Sequence, residues 1–353
     1  MRTVGGTLAG IGLTIGTAGW WYAWNNTTYL RRGEHAARRA GFTEHRVTLP
    51  SGTTLNYAEG PDAGPALVLL HAQSSAWQNY VRVLPDLASR FHVFVPDIAG
   101  HGRSSRTPGR YNVKALGSDI VEFLRSVVGT PALVSGHSSG GLIAAWVAAD
   151  APNLVSAVHL EDPPFFSTDP DRFAQQFNCV DLARPAHQFL AQDTVTDFPS
   201  WYIEHCAWLD YFGNARPRIV RFAQARRRRH PDQPMNLWFF PPLANEAMAY
   251  LHRFDPRFAD AFYTHAWQAD FDQAQTLSWI VAPATLVHAD WRVTDAGILE
   301  GAMTDDDAER ARAALRDVVF ERVHTGHGFH FEAPRDFVAS IDRLRARVDA
   351  VRQ

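Results

Sequence analysis

Residues 132–150 read ALVSGHSSGGLIAAWVAAD. An apolar run, a serine framed by two glycines and an alanine-rich segment follow one another with no linker. The apolar run has strand length, and the small-residue segment after Ser138 has helical character. A strand that turns directly into a helix leaves room only for residues without side chains at the flanks. Gly136 and Gly140 fill those positions, since a side chain at either would clash with the neighbouring strand or helix. The arrangement lifts Ser138 onto a tight turn, beside the free N–H groups and positive dipole end of the helix. A Gly-x-Ser-x-Gly pentapeptide in this context predicts an exposed nucleophile.

The rest of the chain supplies the scaffold. Residues 45–60 predict two strands around a Pro-Ser-Gly turn. ALVLLHAQ (66–73), FHVFVPD (91–97), PALVSGH (131–137) and LVSAVHLED (154–162) are further apolar runs, with a helical pattern at 115–128. Strands that are continuously apolar and alternate with helices predict an α/β fold, a parallel sheet covered on both faces. The rhythm stops at Pro163-Pro164 and resumes at PATLVHAD (283–290), a helix near 305–316, VVFERVH (318–324) and a last helix from Pro334. Residues 163–272 are helical, aromatic and proline-punctuated, so they predict an insert between two strands of one sheet. The domains are then an arm at 1–40, a core at 41–162 and 273–353, and a helical cap at 163–272.

The arm poses its own question. Residues 4–24 carry no charge and have the length of a bilayer span, with Trp20, Trp21, Tyr22 and Trp24 at one end like an interfacial belt. Three readings follow: a membrane anchor, a cleaved signal peptide, or an arm packed on its own domain or across a homodimer. As an anchor it would keep the following domain cytoplasmic, because Arg31, Arg32, Arg38 and Arg39 follow it and only Arg2 precedes it. A net charge of −3 gives no reason to expect nucleic acid as partner. The two cysteines, Cys179 and Cys206, lack metal-site spacing.

A serine hydroxyl needs a base to take its proton. His327, in TGHGFHFEAP, stands on a loop after the last strand with Gly326 and Gly328 beside it. His324 and His330 lie three residues to either side, but a metal cluster there lacks a carboxylate partner. Attack on a carbonyl also needs oxyanion donors. The backbone N–H of Ser139 is one, and that of Gln73, after the strand 66–71, is the other. Candidate substrate-binding residues are His71, His137, Trp77, Trp208 and Trp238. The ring-rich insert predicts an aromatic, apolar pocket.

Together LLHAQ, PDIAGHGRS, the Gly136–Gly140 turn and GHGFHFEAP resemble the α/β-hydrolase superfamily over residues 45–353. The resemblance implies an eight-stranded, mostly parallel sheet, with the insert after the sixth strand as a lid. It implies a serine hydrolase with a Ser138–His327–acid triad and no cofactor or metal. Dehalogenase and epoxide hydrolase relatives place Asp where Ser138 stands. The acid departs from the family pattern. The usual Gly-x-x-Asp after the seventh strand is replaced by VHADWRVTD, which puts Arg292 at the expected position. Asp290 is the first choice. A minority of the family uses the end of the sixth strand, which makes Asp162 the alternative. Glu161, Asp295 and the acidic run 304–309 remain behind them.

The function expected is cleavage of a hydrophobic carboxylic ester or lactone through an acyl-enzyme. The alternatives are amide, thioester or carbon–carbon hydrolysis on the same scaffold, or a catalytically silent ligand receptor.

Overall fold

The computed structural model describes the backbone of residues 4–352 and the side chains of residues 19–350. Ten strands form in chain order. They are β1 (Thr43–Thr48), β2 (Thr54–Glu59), β3 (Ala66–Leu70), β4 (His92–Pro96) and β5 (Ala132–His137). After these come β6 (Val155–Glu161), β7 (Ala284–His288), β8 (Arg292–Val293), β9 (Leu299–Glu300) and β10 (Val318–Arg322). Eight of them make one sheet in the order β1-β2-β4-β3-β5-β6-β7-β10. Only β2 pairs antiparallel with its neighbours; every pairing from β4 to β10 is parallel. β8 and β9 form a separate two-stranded ribbon.

The central strands are apolar throughout because helices cover both faces. All five residues of β3 and of β7 and all six of β5 are buried. The helix Ser139–Asp150 packs on one face and buries Leu142, Ile143, Val147 and several alanine and glycine positions. The C-terminal helix Pro334–Arg352 lies on the other face, its Phe337, Ile341 and Leu344 in the second core cluster. The segment between β6 and β7 is helical in its described elements. Its large rings turn mostly inward. Phe258, Phe262 and Trp267 pack on one another, and Phe165, Phe166 and Phe173 are fully buried.

The apolar arm is part of one helix, Val4–Arg39. Among the described residues no helix is long and apolar enough to cross a membrane; most of the expected anchor, residues 4–18, lies outside the residues whose side chains are described. Interspersed glycines and threonines dilute the stretch. The second half of this helix is packed. Tyr29 and Leu30 are buried, and Asn26 donates from Nδ2 to the Trp238 carbonyl at 2.9 Å.

Candidate active site

β5 ends at His137, and the next residue turns the chain. Ser138 takes φ 55° and ψ −121°, a conformation that side-chain-bearing residues rarely adopt. Two backbone bonds hold it there. Its N–H donates to the Glu161 carbonyl at 3.0 Å, and its own carbonyl accepts from Gly141 at 2.8 Å. The glycines are required by contact. A Cβ at Gly136 would press into the Gly140 carbonyl, and one at Gly140 into the carbonyls of Leu70 and His71. Ser139 is the first residue of the helix, so its N–H has no intrahelical acceptor. It lines the same cavity as Ser138, Gln73 and His327.

His327 sits on the loop that follows β10. Its Nδ1 lies 2.7 Å from Asp162 Oδ2. Asp162 directly follows β6 and is itself at positive φ, 43°, with 1% of its surface exposed. Its Oδ1 accepts from the Ala289 N–H at 3.1 Å, and its own N–H donates to the Val287 carbonyl. Burial pushes the Asp162 pKa up, but His288, His327 and the Ala289 N–H outweigh it and hold it at about 2. The carboxylate stays ionised. For His327, burial works downward, and the bond and charge of Asp162, with Glu161 and Glu332, raise its pKa above the usual imidazole value. The ring keeps 41% of its side chain exposed on the cavity side.

Asp290 does not reach His327, which corrects the first choice of acid. Its carboxylate is half exposed and faces His324 Nδ1 at 3.3 Å and Arg322 at 3.6 Å. Its N–H donates to the Thr325 carbonyl, which fixes the backbone on the far side of the β7–β10 edge. Asp295 is exposed on the ribbon turn, and Asp307 caps its own helix. Glu161 points the opposite way from Asp162, as strand alternation requires. It accepts from both the backbone N–H and Nδ1 of His330, at 2.8 and 2.7 Å. His330 continues through Nε2 to Asn79 Oδ1 at 2.8 Å, Asn79 to Glu246 at 2.6 Å, and Tyr29 to Glu246 at 2.6 Å. This buried polar chain ties the floor of the site to the insert and to the N-terminal helix.

None of the five expected substrate-binding residues lines the cavity. His71 is fully buried and accepts the Ile98 N–H on Nε2, so it braces the turn after β3. His137 lies behind His327 and donates from Nε2 to its carbonyl at 2.7 Å; burial pushes its pKa down to about 3, so it is neutral. Trp77 is buried in the core cluster beneath the sheet. Trp208 packs against Phe240 and Phe212 inside the insert. Trp238 is 51% exposed on the outer surface. Aromatic size drew attention to these rings, yet large rings most often fill a core.

The cavity measures about 240 Å³. Its walls are Pro164, Phe177, Leu182, Ala247 and Phe262, with polar points at Thr168, Gln176, Asn178, Asp181 and Tyr202. Sequence reasoning missed these polar residues. The only signal was the spacing of Gln176, Asn178 and Asp181 among apolar neighbours in an otherwise aromatic insert. Gln73 links core and insert at the cavity, donating from Nε2 to Asn178 Oδ1 at 2.8 Å.

A family pattern described as alpha/beta hydrolase fold matches residues 65–334. The chain belongs to the alpha/beta-hydrolase family. Among curated relatives, the magnesium-chelatase 30 kDa subunit of Rhodobacter capsulatus is 39% identical over 26% of this chain and 33% of its own length. A soluble epoxide hydrolase of Corynebacterium is 29% identical over 33% of this chain and 41% of its own. These matches span well under half of the relatives' length. Among solved structures, a membrane phospholipase A aligns over 97% of this chain and 98% of its own at 20% identity and TM-score 0.61. The enol-lactonase of Burkholderia xenovorans aligns over 86% and 100% at 16% identity and TM-score 0.59. At such identities the structures share the fold.

Proposed function

We propose that this alpha/beta-hydrolase is a serine hydrolase that cleaves a small, largely apolar carboxylic ester or lactone through an acyl-enzyme. The observation that carries the reading is the Asp162–His327 bond, with Ser138 across the same cavity. Epoxide hydrolases and dehalogenases are among the relatives. Their chemistry as implied by the family resemblance uses Asp at this turn, and this chain has Ser138.

Each residue then has one role. Ser138 Oγ attacks the carbonyl carbon while His327 Nε2 takes its proton. Asp162 fixes the His327 tautomer with the proton on Nδ1 and stabilises the imidazolium. The N–H groups of Ser139 and Gln73 receive the oxyanion. His327 returns the proton to the leaving alkoxide, and water reverses the sequence on the acyl-enzyme. The apolar walls hold the acyl or lactone ring, and the volume of about 240 Å³ restricts its size.

Fluorophosphonate labelling tests the reading. Wild-type protein should label on Ser138 and Ser138→Ala should not. A panel of esters and lactones graded in acyl size should show a steep fall in kcat/KM for bulky acyl groups. Labelling at another serine, or a labelled protein that hydrolyses amides and no esters, would refute it.

A further inference from the structure

The outer side of the insert carries a surface that the proposed hydrolysis does not use. Trp20, Trp21 and Trp238 are 68%, 59% and 51% exposed. The helix that carries Trp20 and Trp21 is joined to the Trp238 segment through Tyr22 and Asn26. Tyr22 donates its hydroxyl to the Phe239 carbonyl at 3.2 Å, and the Phe239 ring meets Trp238 at 5.4 Å and the half-exposed Phe222 at 5.5 Å. Trp20 stacks on Trp24, which Arg32 covers at 4.5 Å. A cluster of exposed large rings on a folded domain marks an interaction site.

Arginines border it. Phe222 stands on the helix Arg216–Arg229, where Arg218 precedes it by four residues and Arg226 and Arg229 follow at four and seven, so all three share its face. Among the described residues none of the three has a carboxylate within ion-pair distance, and neither has Arg31 or Arg32. Arg226 is the most telling. Its Nε is buried with no acceptor, and burial together with the nearby charge of Arg31 works against its protonation. A guanidinium with a buried, unpartnered Nε and no carboxylate at ion-pair distance forms a place for an anion.

We propose that this face, residues 19–32 with the helix Arg216–Arg229, seats on an anionic lipid bilayer. Tryptophans lie at the headgroup level and arginines bind lipid phosphates. Interfacial tryptophan beside arginine is the composition such a surface requires. A second copy of the chain fits less well, because a two-fold contact through this face sets arginines against arginines.

Flotation of the full chain with phosphatidylcholine vesicles, with and without about 30% phosphatidylglycerol, tests this. Binding should need the anionic lipid, weaken with salt, and blue-shift tryptophan fluorescence. Replacing Arg218, Arg226 and Arg229 together by Gln should weaken it on the order of 100-fold. Trp20→Ser with Trp24→Ser, both at exposed positions, should weaken it about tenfold with an unchanged thermal midpoint. Equal binding to both vesicle types would overturn the proposal. So would binding that survives the arginine replacements, a dimer that these abolish without vesicle binding, or binding of nucleic acid in place of vesicles.

Discussion

Asp162 Oδ2 lies 2.7 Å from His327 Nδ1, although 165 positions separate the two residues in the chain. Two adjacent parallel strands make the meeting possible. Asp162 directly follows β6, and Ala289, directly after β7, supplies the N–H that holds the second carboxylate oxygen.

Asp162→Asn should therefore lower kcat on the order of 10⁴-fold, while Asp290→Asn stays within about twofold of wild type. The pH profile should move as well. His327 must be neutral to act as base, and Asp162 raises its pKa, so wild-type activity rises with pH above about 6.5. Without Asp162, burial dominates and the acidic limb shifts to lower pH. A reversed ranking of the two variants returns the role to Asp290.

His288 should act as a positioning residue. Its Nδ1 stands 3.7 Å from Asp162 Oδ1, too far for a hydrogen bond, and its Nε2 meets Asp305 at 3.0 Å. The ring fills the space under the acid. His288→Ala should cost about tenfold in kcat with KM unchanged, because the carboxylate loses its support. Wild-type kcat together with a lowered thermal midpoint would reduce His288 to a packing role.

Gly136→Ala and Gly140→Ala should each lower stability by about 1–3 kcal/mol, since backbone carbonyls stand where the methyl would go. Thermal melting reads this directly, and both should also lose activity by displacing Ser138. Gly213→Ala makes a useful control: its φ is positive, but open space surrounds it, so only backbone strain is felt there.

Acidification should destabilise the fold in two stages. His71 and His159 have pKa values near 4 and His137 near 3, each pushed down first by burial. The unfolded chain binds their protons below about 6.5 and the folded one does not, so stability falls as pH drops from there towards 4. His101 and His252, also lowered by burial, add to the effect, while Asp97, raised by burial to about 6, and the raised carboxyls of Asp119, Asp169, Asp181 and Glu246 oppose it. Glu161 and Asp162, held near 2, contribute stability above their unfolded values that is lost between about 4 and 2. Urea midpoints that stay flat from pH 7 to pH 4.5 would contradict this ordering.

The N-terminal helix should not be dispensable. Deleting residues 1–30 removes buried Tyr29 and Leu30 and strips Glu246 of a donor. The midpoint should fall by about 10 °C. Tyr29→Phe alone should cost about 1–3 kcal/mol, because it leaves the Glu246 carboxyl short of one partner.

The meeting of Ser138, Ser139, Gln73 and His327 on one cavity was readable because each depends on a local pattern: a turn between two glycines, a helix start, a loop after a strand. The acid was not, because its choice rests on where Asp290 turns after β7. That turn is decided by the Asp290–Thr325 backbone bond and by His324 and Arg322, all contacts made across the sheet edge. The parallel sheet followed from the apolar runs. The cavity lining did not, because which face of each insert helix meets the core depends on packing between segments far apart in sequence. Asn178 became part of the site through Gln73, a partner 105 positions away.

With the proposed acid at the end of β6 and the Ala289 N–H as its last backbone support, the segment 290–303 makes no contact with Asp162 or His327 through a hydrogen bond. It contributes only Gly301 to the cavity wall, and it reaches the insert through the Gln176 bond to the Gly301 carbonyl. A loop that shapes the entrance while the acid stands elsewhere can be lengthened, shortened or exchanged without disturbing proton transfer. In this chain the β8–β9 ribbon can then vary without touching the proposed triad, a freedom denied to a relative whose acid lives on that same loop.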